Sequence, residues 1–211
     1  MALLIALMAA CGEATSTEEE ETPADDVAPT EEAVEEDDTE EAEDVIEEVA
    51  DNDWETQVGE TTENEGGSHT LIARNDQVDT QETGPMILNV TQVNAISSQL
   101  KGEVADLMET DAIEYIQIDM EVENTSEDTI TFYPSQATIT TNTGEQLEAD
   151  MWLSDHIDGD FIGAVKKSGS QFFILENSNA EDIEWVRILI NAPHDADWND
   201  VGEELDFQVE L

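Results

Sequence analysis

The side chains able to do chemistry are few and scattered. The chain has one cysteine, Cys11, and three histidines, His69, His156 and His194, too far apart in sequence to suggest a shared metal site or a catalytic triad. Carboxylates are so abundant that a pair at any spacing says almost nothing about general acid–base work. One cluster stands out: Asp155-His156-Ile157-Asp158-Gly159-Asp160 sets three carboxylates around a glycine. Calcium takes about 6–8 oxygen ligands, often with a glycine at the sharp point of a loop. The spacing is not that of an EF-hand, and no Glu stands at its twelfth position. The expectation is an acidic solvated loop, with a calcium site as the alternative. Lys166-Lys167 is the one adjacent basic pair, expected to pair with neighbouring carboxylates. No H-E-x-x-H, G-x-S-x-G, phosphate loop or dinucleotide fingerprint occurs. The expectation is therefore no catalysis, no cofactor and no resident metal; a hydrolase would need a nucleophile that the sequence does not offer. Trp152, Phe161, Phe172, Phe173, Trp185 and Phe207 read mainly as core; the alternative for Trp152 and Trp185, rather than for the others, is partial exposure that marks a binding patch.

Charge limits the partners. Fifty-five acidic residues face five basic ones, for a formal net charge of −50. Residues 13–65 hold 25 of the acids and no Lys or Arg; residues 66–211 hold the other 30 with all five basic residues, a net charge of −25. Such a field repels phosphate backbones and anionic headgroups, which argues against nucleic acid and against electrostatic membrane binding. It also repels itself, and salt relieves that, because the Debye length falls to about 3 Å at 1 M. The composition suggests saline, halophilic surroundings.

The chain opens on an apolar run, Met1 to Ala10, MALLIALMAA, followed by Cys11-Gly12 and a sharp change to Glu, Thr and Asp. About ten apolar residues are too few to span a bilayer but suit the core of a signal peptide. Leu7-Met8-Ala9-Ala10-Cys11 resembles the lipobox of bacterial lipoproteins, although no basic residue precedes the apolar run. That resemblance implies cleavage before Cys11, a diacylglycerol on its sulfur and an acylated amine. A lone cysteine cannot form an intramolecular disulfide, which agrees with such a role. The expected location is the extracytoplasmic face of the cell membrane, with the lipidated Cys11 as the contact and an unidentified envelope protein or ligand as partner.

Residues 11–83 are poor in aromatics and rich in Glu, Asp, Thr and Ala, so they read as a disordered acidic linker that cannot bury enough apolar surface to order itself. Ala42, Val45, Ile46 and Val49 make a weak helical stripe, opposed by like charges at i,i+4. Trp54 is the large aromatic of this stretch, read as incidentally exposed.

Residues 84–211 read as the folded domain. Ile116, Ile118, Met120 and Val122 alternate with Gln117, Asp119, Glu121 and Glu123, the period of a strand with one buried face. Thr129–Tyr133, Ala137–Thr141 and Gln146–Met151 continue the series, with Gly144 supplying the left-handed residue of a short hairpin. Leu88 and Val90 share one parity and Val93 takes the other, which predicts a bulge in the first strand. Val104, Leu107 and Met108 fit a helical turn. Trp152–Gly169 is irregular, and Gln171–Leu175, Ile183–Ile190 and the alternation Leu205, Phe207, Val209, Leu211 complete seven or eight strands. Turn signals every 8–12 residues or so predict an all-β, antiparallel sandwich.

Glu123-Asn124 at a strand end, Gly144 in the hairpin, and Gly163 with Lys166-Lys167-Ser168-Gly169 before an apolar strand carry a resemblance. Over roughly residues 84–211 the chain resembles bacterial extracellular lipoprotein domains with a telokin-like, immunoglobulin-like fold. The resemblance implies an immunoglobulin-like β-sandwich outside the cell and adds little about mechanism.

Overall fold

The computed structural model describes residues 56–211. The residues 1–10 read as a signal peptide, Cys11, the helical stripe and Trp54 lie outside the described residues.

The longest elements are β4 (Met86–Leu100) and β5 (Ala112–Asn124), which run antiparallel along almost their whole length. They form the axis of a six-stranded sheet. On one side β10 (Lys166–Ile174) pairs with β5. On the other, β2 (Gly67–Asn75) pairs with the second half of β4 and β3 (Gln81–Thr83) with its start. β1 (Thr61–Asn64) adds to β2 at the edge. A four-stranded sheet holds β8 (Gln146–Glu148), β7 (Thr138–Thr141), β11 (Trp185–Ile190) and β12 (Leu205–Glu210). A small third sheet pairs β6 (Thr129–Phe132) with β9 (Gly159–Ile162). Among the described residues the one α-helix, α1 (Gly102–Met108), links β4 to β5 and buries none of its residues. Leu107 points to solvent, 71% exposed.

All the pairings are antiparallel, and the three sheets share one apolar core. Ile116, Ile118 and Met120 of β5 meet Ile139 of β7, Ile188 of β11, Phe132 of β6 and Phe161 of β9 in it, each at most 1% exposed. The alternation read from the sequence of β5 therefore sets which face turns inward. The same holds for Val186, Ile188 and Ile190 on β11. The phase slip in β4 is a bulge: the register against β5 shifts between Val90 and Gln92, which keeps Val90 and Val93 both on the core side. Gly144, with φ of +90°, closes the β7–β8 turn in the conformation its position requires.

The folded body begins earlier than position 84. β1, β2 and β3 all lie within the residues 11–83 assigned to a disordered linker. The reason is register rather than hydrophobicity. β1 (TTEN) is exposed throughout and has no apolar side chain; it is held by its ladder to β2. β2 buries only Gly67 and Leu71, yet it covers the edge of β4 from Val93 to Leu100. Arg74 ties this edge down, donating from Nε to Asn94 Oδ1 at 2.8 Å and from a terminal nitrogen to the Thr56 carbonyl at 3.0 Å. The central run also differs in arrangement from a simple meander. β5 stays in the long sheet, β6 pairs with β9 and β7 pairs with β11.

Candidate functional site

The acidic loop does not assemble a cation site. Asp155 accepts the backbone N–H of Ser170 at 2.8 Å, Asp158 accepts that of Ser135 at 2.7 Å, and Asp160 accepts the Thr131 hydroxyl at 2.6 Å. The three carboxylates thus face three different elements and act as loop fasteners. Gly169 lets the loop lie close: a Cβ there would stand 2.6 Å from the Asp155 Cβ. Among the described residues no three His, Cys, Asp or Glu side chains converge as metal ligands. Lys166 pairs with Glu123 at 3.1 Å, as the sequence suggests. Lys167 does something else: its ammonium sits 4.2 Å above the Phe161 ring and donates to the Asp158 carbonyl at 2.8 Å.

The histidines are separated in space as well. His69 Nδ1 lies 2.7 Å from the Ser98 hydroxyl on the outward face of the long sheet, and His156 is exposed on the acidic loop. A groove of about 340 Å³ runs between residues 75–81 and β12, floored by Val78, Phe207 and Val209. Its polar lining is Asn75, Gln77, Gln81 and Gln208 with the carboxylates of Asp79 and Glu210.

His194 occupies a different setting. Its backbone continues the small sheet: the Thr131 N–H donates to the His194 carbonyl at 2.9 Å and the His194 N–H to the Thr131 carbonyl at 3.0 Å. Asp200 pairs with His194 on its other side. Residues opposite one another in antiparallel strands project from the same face. Asp160, Thr131, His194 and Asp200 therefore form a row on the face opposite the buried Ile130, Phe132 and Phe161. Trp198 stacks on His194, ring centroids 4.3 Å apart and planes at 21°, and Tyr133 lies 6.1 Å away, tilted at 41°. The indole is 75% exposed.

The loop that holds Trp198 is built for that pose. Asp195 Oδ1 accepts the backbone N–H groups of Asp197 and Asn199, both at 2.9 Å, while the Trp198 N–H donates to the Asp195 carbonyl at 3.0 Å. The hydrogen bond from the Asn199 backbone, then that from its side chain, holds the Asp195 carboxyl below its usual value of 3.8. Trp198 itself has φ of +64°, a left-handed conformation that costs a bulky residue about 1–2 kcal/mol. The loop's far end is clamped to the β3–β4 turn. Thr83 Oγ1 accepts the Glu203 N–H at 2.8 Å and donates to its carbonyl at 2.6 Å. Gly84 and Gly202 make this approach feasible, since a Cβ on Gly84 would stand 1.8 Å from the Val201 carbonyl oxygen.

Trp198 was invisible to sequence reasoning, which read Trp152 and Trp185 mainly as core, with exposure as the alternative; for Trp152 the core reading fails. Trp152 is 86% exposed beside Met151 at 79%, on a turn capped by Asp150. Trp185 is half-buried on β11. Neither has a ring stacked on it among the described residues. The signal that could have found Trp198 is the Asp195-x-x-x-Asn199 spacing, which suits a side-chain-capped turn with an aromatic at its apex.

These features define a class: a β-rich, antiparallel body that displays a stacked aromatic pair on a small sheet. No family model matches the chain. It is 29% identical over 157 residues to the SPbeta prophage-derived uncharacterized lipoprotein YonS of Bacillus subtilis (strain 168), covering 74% of this chain and 72% of that protein. Its fold is similar to the crystal structure of a functionally unknown protein from Listeria monocytogenes EGD-e, with a TM-score of 0.52, 12% identity, and 69% of this chain and 88% of that one covered. A looser likeness, TM-score 0.41 at 11% identity, covers 62% of this chain and 38% of the ycdA protein of Bacillus subtilis.

Proposed function

We propose that this protein is an envelope lipoprotein, anchored through a lipid on Cys11 at the extracytoplasmic face of the membrane, whose β body is a non-catalytic binding module. The observation that carries this reading is its similarity to a lipoprotein over 157 residues. Leu7-Met8-Ala9-Ala10-Cys11 supplies the matching attachment sequence. Each buried methylene contributes about 0.8 kcal/mol, so two or more acyl chains hold stably where one does not. Residues 13–55 hold 22 acids and no Lys or Arg, and the self-repulsion of such a stretch suits a spacer between membrane and body. In the body, antiparallel sheets around one core support the immunoglobulin-like, telokin-type sandwich that its sequence resembles.

The test is phase separation of the protein expressed in a Gram-positive host with its own N-terminus. The native chain is expected in the detergent phase and Cys11→Ala in the aqueous phase. A Cys11→Ala protein that remains in detergent refutes the anchor.

A further inference from the structure

We propose that the Trp198–His194 shelf docks an arginine side chain of a basic partner protein, the guanidinium lying flat on the exposed indole. The proposal deepens the binding-module reading and rests on it; it does not depend on the lipid. Three features carry it. The first is the exposed indole itself, 75% open to solvent and backed by an imidazole at 4.3 Å, which fixes its plane. A cation within about 6 Å of an indole face is attracted by the ring quadrupole, and arginine stacks there best because its planar group matches the ring.

The second feature is charge. Asp200 is the cross-strand neighbour of His194, and Asp160, which accepts the Thr131 hydroxyl, lies two strands away on the other side, across Thr131, on the same face. Both carboxylates are exposed, and planar carboxylates are natural partners for a guanidinium fork. Lys166, Lys167 and Arg187 are engaged with Glu123, Phe161 and Asp206 elsewhere on the body. Residues 66–211 carry a net charge of −25, which steers a basic partner towards the surface and a phosphate-bearing one away.

The third feature is the loop. Four hydrogen bonds from the Asn199 and Asp197 groups to the Asp195 carboxylate, and the Thr83 clamp beyond, hold a tryptophan in a left-handed backbone with its apolar face in water. A rigid aromatic anchor presented in this way loses little side-chain entropy on binding.

The experiment uses the full chain labelled with 5-fluorotryptophan. Its four tryptophans give four fluorine lines, and Trp198→Phe assigns the relevant one. A short arginine-containing peptide is titrated in at pH 7.5 and low salt, against the same peptide with citrulline for arginine and against a chitin oligosaccharide. The expected result is a saturable shift of the Trp198 line with the arginine peptide alone. Trp198→Ala should weaken binding, followed on the peptide, roughly tenfold, and 1 M NaCl should weaken it further. A Trp198 line that ignores the arginine peptide, responds equally to citrulline, or responds to the oligosaccharide instead overturns the proposal. Binding unchanged in Trp198→Ala, whose other three lines report that the fold is intact, overturns it too. A silent Trp198 leaves the Cys11 phase-separation result as it stands, so the two failures are told apart.

Discussion

At the residue scale, the account turns on Asp195 and Trp198. The Asp195 carboxylate gathers the N–H groups that close the loop, chiefly those of Asn199, and its pKa is lowered in consequence. A lowered folded pKa means that the charged form is the one bound. Its contribution is complete above the usual value of 3.8 and is lost as pH falls through the lower folded value. We expect the amides of Asp197 and Asn199 to stay protected from exchange at pH 5 and to lose protection below the ordinary carboxyl range, before the core strands open. Asp195→Ala should show the same loss at pH 7. Equal protection in that variant would mean that the loop is closed by something other than this side chain. Trp198 was not legible in the sequence because its neighbours, Asp195 to Asp200, are polar, and its stacking partner is placed by pairing with Thr131, far away in the chain.

At the element scale, strands that bury one face announced themselves and strands that bury little did not. β11 and the second half of β5 alternate cleanly because one face of each meets the common core, whereas Tyr115 on the other face of β5 packs with Leu71 and Ile96. The bulge in β4 was legible for the same reason: apolar residues changed parity and the chain had to supply one extra residue. β1, β2 and β3 follow no such pattern, since each is recruited by the free N–H and C=O groups of the strand beside it. A chain beginning at Gly84 should therefore be much less stable in urea than one beginning at Thr56, with the edge of β4 uncovered. Equal midpoints would show that these strands are dispensable. Two point changes check the packing. Phe173→Ala, at a side chain with no exposure, should cost about 3–5 kcal/mol. Thr83→Val, which removes both bonds to Glu203, should cost about 1–3 kcal/mol. Thermal or urea unfolding measures each, and a cost below half a kcal/mol at Thr83, well under the value of one ordinary hydrogen bond, would deny it the clamp.

At the scale of the whole molecule, charge decides the conditions under which the body is comfortable. Exposed pairs such as Arg187–Asp206 contribute little, because solvent screens them. The excess of 25 negative charges over residues 66–211 acts everywhere at once. Raising NaCl from about 0.05 to 1 M, where the Debye length is about 3 Å, should raise Tm by several degrees; a flat or falling Tm would remove the case for saline surroundings. The same charge explains why an anchor would have to be apolar: no basic patch is available to hold an anionic bilayer, whereas acyl chains on Cys11 need none. The most direct measurement is the intact mass of the mature protein purified from its native membrane. The account predicts a chain that begins at Cys11 and carries diacylglycerol and a further acyl group. A chain with an unmodified Cys11 thiol would contradict it.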